Sequence, residues 1–179
     1  FKNAFVNTSI IEVHKTGTHC RCLYSTKMHR KKQDLNLQTL LDNLQFVEVK
    51  NYMLFGRIPK IGQQIEKKIL KKLVNCNRVK DYILSSGYPI FYRFAGGRYF
   101  KVVTNYSNGS SAERVLYFDK KYANAIGCIL SSNLSFWLYQ IYSDNLNWKR
   151  SEIENTPLPP LSNGTIKQLK DTLIDKYKS

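Results

Sequence analysis

The sequence predicts an α+β protein, a mixed sheet of short strands and hairpins with several packed helices. Three observations lead there. Short apolar–polar alternations flank glycine-bearing turns at Lys15-Thr16-Gly17-Thr18 and Ala95-Gly96-Gly97, a pattern of antiparallel hairpins. Apolar residues recur at helical spacing over 61–73 and again over 121–142. The chain has 179 residues, 42% of them hydrophobic, enough to bury the core of one domain or of two small ones.

The elements follow in order. Residues 3–27 read as a hairpin, with Ile10, Ile11 and Val13 on one side of the turn and Cys20, Cys22 and Tyr24 on the other. A basic run from Lys27 to Lys32 connects it to a helix carrying Leu37, Leu40, Leu41 and Leu44, then to a short strand over Phe46 to Lys50. After Arg57-Ile58-Pro59-Lys60 comes a helix with one apolar stripe (Ile61, Ile65, Ile69, Leu70, Leu73) and an opposite face of Lys67, Lys68, Lys71 and Lys72. Pro89 to Phe94 and Arg98 to Val103 are two strands of one hairpin, Asn105 to Ser111 a polar loop, and Val115 to Phe118 a further strand. Lys121 to Leu130 and Asn133 to Tyr142 are helices, Pro157-Leu158-Pro159-Pro160 is extended, and Thr165 to Tyr177 closes the chain as a helix.

Charge narrows the function. With 28 Lys and Arg against 13 Asp and Glu, the formal net charge is +15. Such an excess repels itself and points to a polyanionic partner: DNA, RNA or an anionic membrane. The uncharged run Ala123 to Tyr142 has the length of a membrane span, but its Asn124, Ser131, Ser132, Asn133, Ser135 and Gln140 make two amphipathic core helices the better reading. The four cysteines (Cys20, Cys22, Cys76, Cys128) have no disulfide-scaffold spacing and read as reduced thiols of a cytoplasmic protein. No signal-peptide pattern follows Phe1, and the chain is expected to be a fragment of a longer protein.

Candidate catalytic motifs are incomplete. Glu48-Val49-Lys50 matches half of a metal-dependent nuclease site, without a second carboxylate in a suitable context. His14, His19, Cys20 and Cys22 fall short of a four-ligand zinc set, and the cysteines read instead as small buried hydrophobes on a strand. There is no phosphate loop, nucleophile elbow, Asn-Pro-Pro-aromatic motif or glycine-rich cofactor loop.

Two basic aromatic segments remain. Phe91 to Val103 carries Arg93, Arg98 and Lys101 among Tyr92, Phe94, Tyr99 and Phe100, around Gly96-Gly97. A two-stranded ribbon fits the major groove, and arginine either reads guanine or grips phosphate. The opposing reading is a tight turn with core rings and solvated arginines; the register of its strands decides between them. Residues 141–162 carry Asn147, Trp148, Lys149 and Arg150 before a helix whose Ser151 and Glu154 form a capping-box pattern. A basic pair there suits phosphate contact, and a capped helix with a half-buried Trp148 is the plainer alternative.

Together these segments resemble the C-terminal part of adenine-specific type II restriction–modification methyltransferases. The resemblance rests on Tyr92-Arg93-Phe94-Ala95-Gly96-Gly97-Arg98-Tyr99, the junction Leu130-Ser131-Ser132-Asn133, Tyr142-Ser143-Asp144, and Ile153-Glu154-Asn155-Thr156-Pro157. The closing Pro157-Leu158-Pro159-Pro160-Leu161-Ser162 also resembles the ends of recognition domains in type I specificity subunits. It covers residues 88–162 and is only general before them. It implies that residues 1–179 are a target recognition domain for double-stranded DNA, comprising 1–50 (hairpin, helix, strand), the family-like 88–162 and a C-terminal helix over 163–179. It further implies a catalytic domain elsewhere in the parent chain, which takes S-adenosylmethionine and methylates adenine N6, and in some parents a nuclease. On this reading no catalytic, metal or cofactor residue lies in this chain. Arg93, Arg98, Lys101, Lys149 and Arg150 are the expected DNA-facing residues, with Tyr92, Tyr99, Asn147 and Trp148 beside them, and no membrane is a partner. The rival readings are a nuclease using Glu48 and Lys50, and a basic RNA-binding or structural module.

Overall fold

A computed structural model describes residues 11–12, 17, 22–29, 36–95 and 103–169. The protein is α+β, and the described residues form two small antiparallel sheets with helices packed on and between them. The first sheet pairs β1 (Tyr24–Ser25) with β2 (Val47–Glu48). The second holds β3 (Ile83–Leu84), β4 (Tyr88–Arg93), β5 (Val103–Thr104) and β6 (Glu113–Phe118), in the spatial order β3-β6-β4-β5. The helices are α1 (Leu37–Asp42), α2 (Gln64–Leu73), α3 (Lys120–Leu130), α4 (Asn133–Tyr142) and α5 (Arg150–Glu154), and residues 163–169 are also helical.

Parity explains the larger sheet. β4 and β6 pair from Tyr88 opposite Phe118 to Arg93 opposite Glu113, and Tyr92 of β4 also faces Val103 of β5. Residues directly opposite share a face, so Ile90, Tyr92, Val103, Leu116 and Phe118 form one apolar surface, and all five are buried. The helix α3 covers that surface. It comes so close at Gly127 that a Cβ there would meet Ile90 Cδ1 at 3.3 Å. At the turn between β3 and β4, Gly87 has φ +146°, and a Cβ on it would stand 2.6 Å from the carbonyl oxygen of Phe118; no side chain fits there.

Among the described residues two hydrophobic clusters result. One lies between the larger sheet and α3 and includes Trp148, Ile153 and Leu158; the other gathers Val47, Val49, Ile61, Leu70, Leu138, Ile141 and Tyr142. The helix α4 separates them, giving Tyr139 to the first and Leu138, Ile141 and Tyr142 to the second. A helix with a core on each side has little room for charge, which accounts for the second half of the uncharged run over 123–142; the first half is α3, whose Ala123, Ala125, Ile126, Gly127, Ile129 and Leu130 are buried. Among the described residues no helix is long and apolar enough to cross a membrane.

Several local expectations need correction. The helix α2 begins at Gln64, so Ile61 precedes it, fully buried, while Ile65 is 58% exposed. Glu66 takes the inward position instead. Its carboxylate accepts the N–H groups of Gly62 and Gln63, each at 3.0 Å, and the indole N–H of Trp137 at 3.4 Å. A buried carboxylate with three donors is tolerated where a bare one is not. The helix α1 buries none of its residues, and Leu37 is 63% exposed. Cys22 is exposed rather than a buried strand residue, with Cys76 and Cys128 half-buried. The predicted hairpin over 3–27 lies mostly outside the described residues; within them, Tyr24–Ser25 pairs with β2.

Candidate nucleic-acid interface

The end of β4 and the loop before α5 are the two basic aromatic segments of the sequence, and they meet in space. The N–H of Trp148 donates to the carbonyl of Phe94 at 2.8 Å. The Tyr92 and Trp148 rings stand edge to face, 5.9 Å between centroids, a favoured aromatic geometry. Across the sheet the N–H of Phe94 donates to the carbonyl of Ala112 at 2.9 Å. Three segments distant in sequence, at 92–94, 112–114 and 147–150, are therefore tied at one point.

This junction corrects two of the expected contacts. Tyr92 is 3% exposed and Trp148 is 1% exposed. Their rings are core, because β4 parity turns Tyr92 inward and the Phe94 bond draws Trp148 after it, so neither has a face to offer a duplex. Burial pushes the Tyr92 phenol up, and the nearby Arg150 and Arg114 partly oppose that.

The charged groups sit around the rim. Arg93 is half-buried, and its Nε donates to the carbonyl of Ala95 at 3.0 Å. Glu113, directly opposite, accepts instead from the Ser107 hydroxyl at 2.5 Å and the Asn108 N–H at 2.9 Å, closing the polar loop 105–111. Lys149 pairs with Asp144 at 2.8 Å, and Arg150 with Glu154 at 2.7 Å; both basic residues are exposed. Burial would raise Asp144, but Lys149 and the N–H groups of Leu146 and Asn147 outweigh it and hold the carboxyl at about 2. Asn147 is half-buried, and its carbonyl also accepts the Ser143 hydroxyl at 3.3 Å. Arg98, Tyr99 and Lys101, with Gly96 and Gly97, lie outside the described residues.

The expected cap at Ser151 shifts by two residues. The helix α5 begins at Arg150, and the N–H of Lys149 is accepted by the Glu152 carboxylate at 3.0 Å. Glu154 pairs with Arg150 instead of closing a box. A five-residue helix whose entry N–H is already held by a carboxylate is no anion site, so a phosphate contact here falls to the side chains alone.

Arg114 was not singled out by sequence. It stands opposite Tyr92 in the register, is exposed, and lays its guanidinium over the Phe94 ring 4.2 Å from the centroid. Its Nη1 donates to the carbonyls of Ser111 at 3.1 Å and Glu113 at 2.6 Å. Nothing near Arg114 in the sequence marks it; only strand pairing brings it to Phe94.

The motifs of the family-like segment have structural roles here. Ser131 and Ser132 turn the chain between α3 and α4, with Ser132 Oγ accepting the Ser135 N–H at 3.2 Å. The Thr156 carbonyl accepts the Val79 N–H at 3.0 Å, and the Leu158 N–H donates to Asn77 at 2.8 Å, fastening the chain to 77–79. Beneath them Arg57 reaches the buried Glu152 at 2.6 Å. A tight turn with Phe55 at φ +42° and Gly56 at φ +76° sets Arg57 there.

Elsewhere, Glu48 accepts Lys67 Nζ at 3.2 Å and the Lys50 N–H at 3.0 Å, and these contacts lower its carboxyl. Among the described residues no three His, Cys, Asp or Glu side chains are grouped to hold a metal ion; His14, His19 and Cys20 lie outside them. On α2, Lys67 lies 5.9 Å from the Tyr52 ring centroid, while Lys68, Lys71 and Lys72 are exposed. Comparison with family models, curated proteins and solved structures finds no match to this chain.

Proposed function

We propose that this chain binds a short sequence of double-stranded DNA, as the target recognition domain of an adenine-N6 methyltransferase. In this reading S-adenosylmethionine and the methyl-transfer chemistry belong to a separate catalytic domain of the parent chain. One observation carries the reading: the two basic aromatic segments, 54 residues apart from Phe94 to Trp148, are joined by a main-chain hydrogen bond. Around that bond stand Arg93, Arg114, Lys149 and Arg150, on a chain of net charge +15. The buried rings act as the rigid platform, and the arginines and lysine as the contacts. Phosphate contacts would position the domain, while base-edge contacts, for which Arg98 and Lys101 are candidates, would specify the sequence.

The test is selection from a random duplex library at about 0.15 M salt, with the 179-residue chain and with its parent. A recovered consensus, bound more tightly than scrambled duplex, supports the reading. Absence of any preferred duplex with both proteins overturns it. Equal competition by RNA of the same sequence would move the function to RNA.

A further inference from the structure

We propose that Arg114 and Arg150 together grip one backbone phosphate of the bound duplex, with Glu154 holding Arg150 in place until the phosphate arrives. The inference rests on the DNA-binding reading and adds the position of an anion contact on that surface. The two arginines come from different elements, the start of β6 and the start of α5. Both flank Tyr92: Arg114 is its cross-strand partner, and Arg150 follows two residues after Trp148, whose ring meets that of Tyr92. The backbone beneath them is fixed by the bonds of Phe94 to Ala112 and Trp148.

Their present partners differ in kind. The guanidinium of Arg114 is held over the Phe94 ring by two carbonyl acceptors on Nη1, and among the described residues no carboxylate pairs with it. An exposed guanidinium already fixed in one orientation loses little freedom when it meets an anion, and its planar fork matches two phosphate oxygens. Arg150 is paired through Nε with Glu154, at 61% side-chain exposure. A pair so exposed is weak, so a phosphate can replace the carboxylate. The site thus offers two guanidinium groups and one displaceable acid, a surplus of positive charge suited to a phosphodiester.

The experiment measures duplex binding across a salt series for the wild type, Arg114→Gln, Arg150→Gln, the Arg114→Gln/Arg150→Gln double variant, Arg114→Lys and Glu154→Gln, with thermal midpoints confirming that each folds. A set of duplexes, each with one phosphate replaced by a neutral methylphosphonate, is titrated alongside. Each Gln variant is expected to bind about tenfold more weakly, equally on preferred and scrambled duplex, with the salt slope shallower by about one. Arg114→Lys keeps the slope and loses affinity, because the fork is gone but the charge stays. Glu154→Gln binds more tightly. One methylphosphonate position weakens the wild type most, weakens each single Arg→Gln variant less because one arginine still holds that phosphate, and leaves the Arg114→Gln/Arg150→Gln double variant unchanged. If the wild type binds duplex while both Gln variants keep its affinity and slope, the clamp is wrong and the DNA-binding reading stands. If neither wild-type chain nor parent binds duplex, that reading fails and takes the clamp with it.

Discussion

Replacing Trp148 with alanine tests whether the aromatic residues of the junction are platform or contact. Trp148 is 1% exposed and packs in the cluster containing Tyr92, Phe118, Ile153 and Leu158. Truncating a buried tryptophan costs about 3–5 kcal/mol, the transfer term plus the cavity left behind. For a chain of this size that is a fall in thermal midpoint of roughly 6–20 °C. The main-chain bond to Phe94 survives the change, so the loop stays tethered and the loss belongs to the side chain. Chemical denaturation of the wild type, Trp148→Ala, Tyr92→Leu and the double variant completes the cycle. The ring pair should appear as a coupling of about 0.5–1.5 kcal/mol. A Trp148→Ala protein that unfolds within about 0.5 kcal/mol of the wild type, the range of ordinary surface substitutions, yet has lost duplex affinity would refute the burial argument and return the indole to the interface.

Other outcomes follow from single groups. Asp144 is held at about 2 against an ordinary 3.8, so its contribution to stability is present above about pH 4 and is lost as the pH falls toward 2. Asp144→Asn should therefore be less stable than the wild type at neutral pH, with the gap in denaturation midpoint closing over that window. Burial pushes Tyr139 up to about 12 and Tyr142 higher still. Their neutral forms favour the fold, stability falls as the pH rises above 10, and phenolate absorbance should show these two ionising only together with unfolding. Gly87→Ala should cost about 2–3 kcal/mol, because it combines positive φ with a clash on the Phe118 carbonyl. Gly109→Ala, at φ +74° but in open space, should cost about 1 kcal/mol; equal midpoints for the two would count against the close approach at Gly87.

Periodicity made much of the fold legible. The strand expected over 89–94 lies at 88–93, and the polar loop over 105–111, the strand ending at Phe118 and the helices α3 and α4 stand within two residues of where alternation and helical spacing place them. Asp119 and Ser132, both good N-cap residues, mark the starts of those helices through their side-chain oxygens. The reading weakened where the apolar pattern was ambiguous. Ile61 and Ile65 have the spacing of one stripe, but Pro59 and Gly62 delay the helix, and Glu66 earns the buried place by its three donors. At Lys149 the cap was missed because Glu152 acts through the main-chain N–H, which leaves no preference for residue type at the N-cap.

The sequence alone determined the class of fold, the excess of positive charge and the two segments that could meet a polyanion, because composition, turn chemistry and periodicity are local properties. Only the tertiary structure decided which members of those segments are available. Strand parity and a single hydrogen bond from Trp148 to Phe94 drew the two best-looking rings into the core. The same pairing brought in Arg114, which no local signal marked, and set Arg150 on the other side of Tyr92. Exposure and charge pairing depend on what lies across the sheet, and residues far apart in the chain supply it.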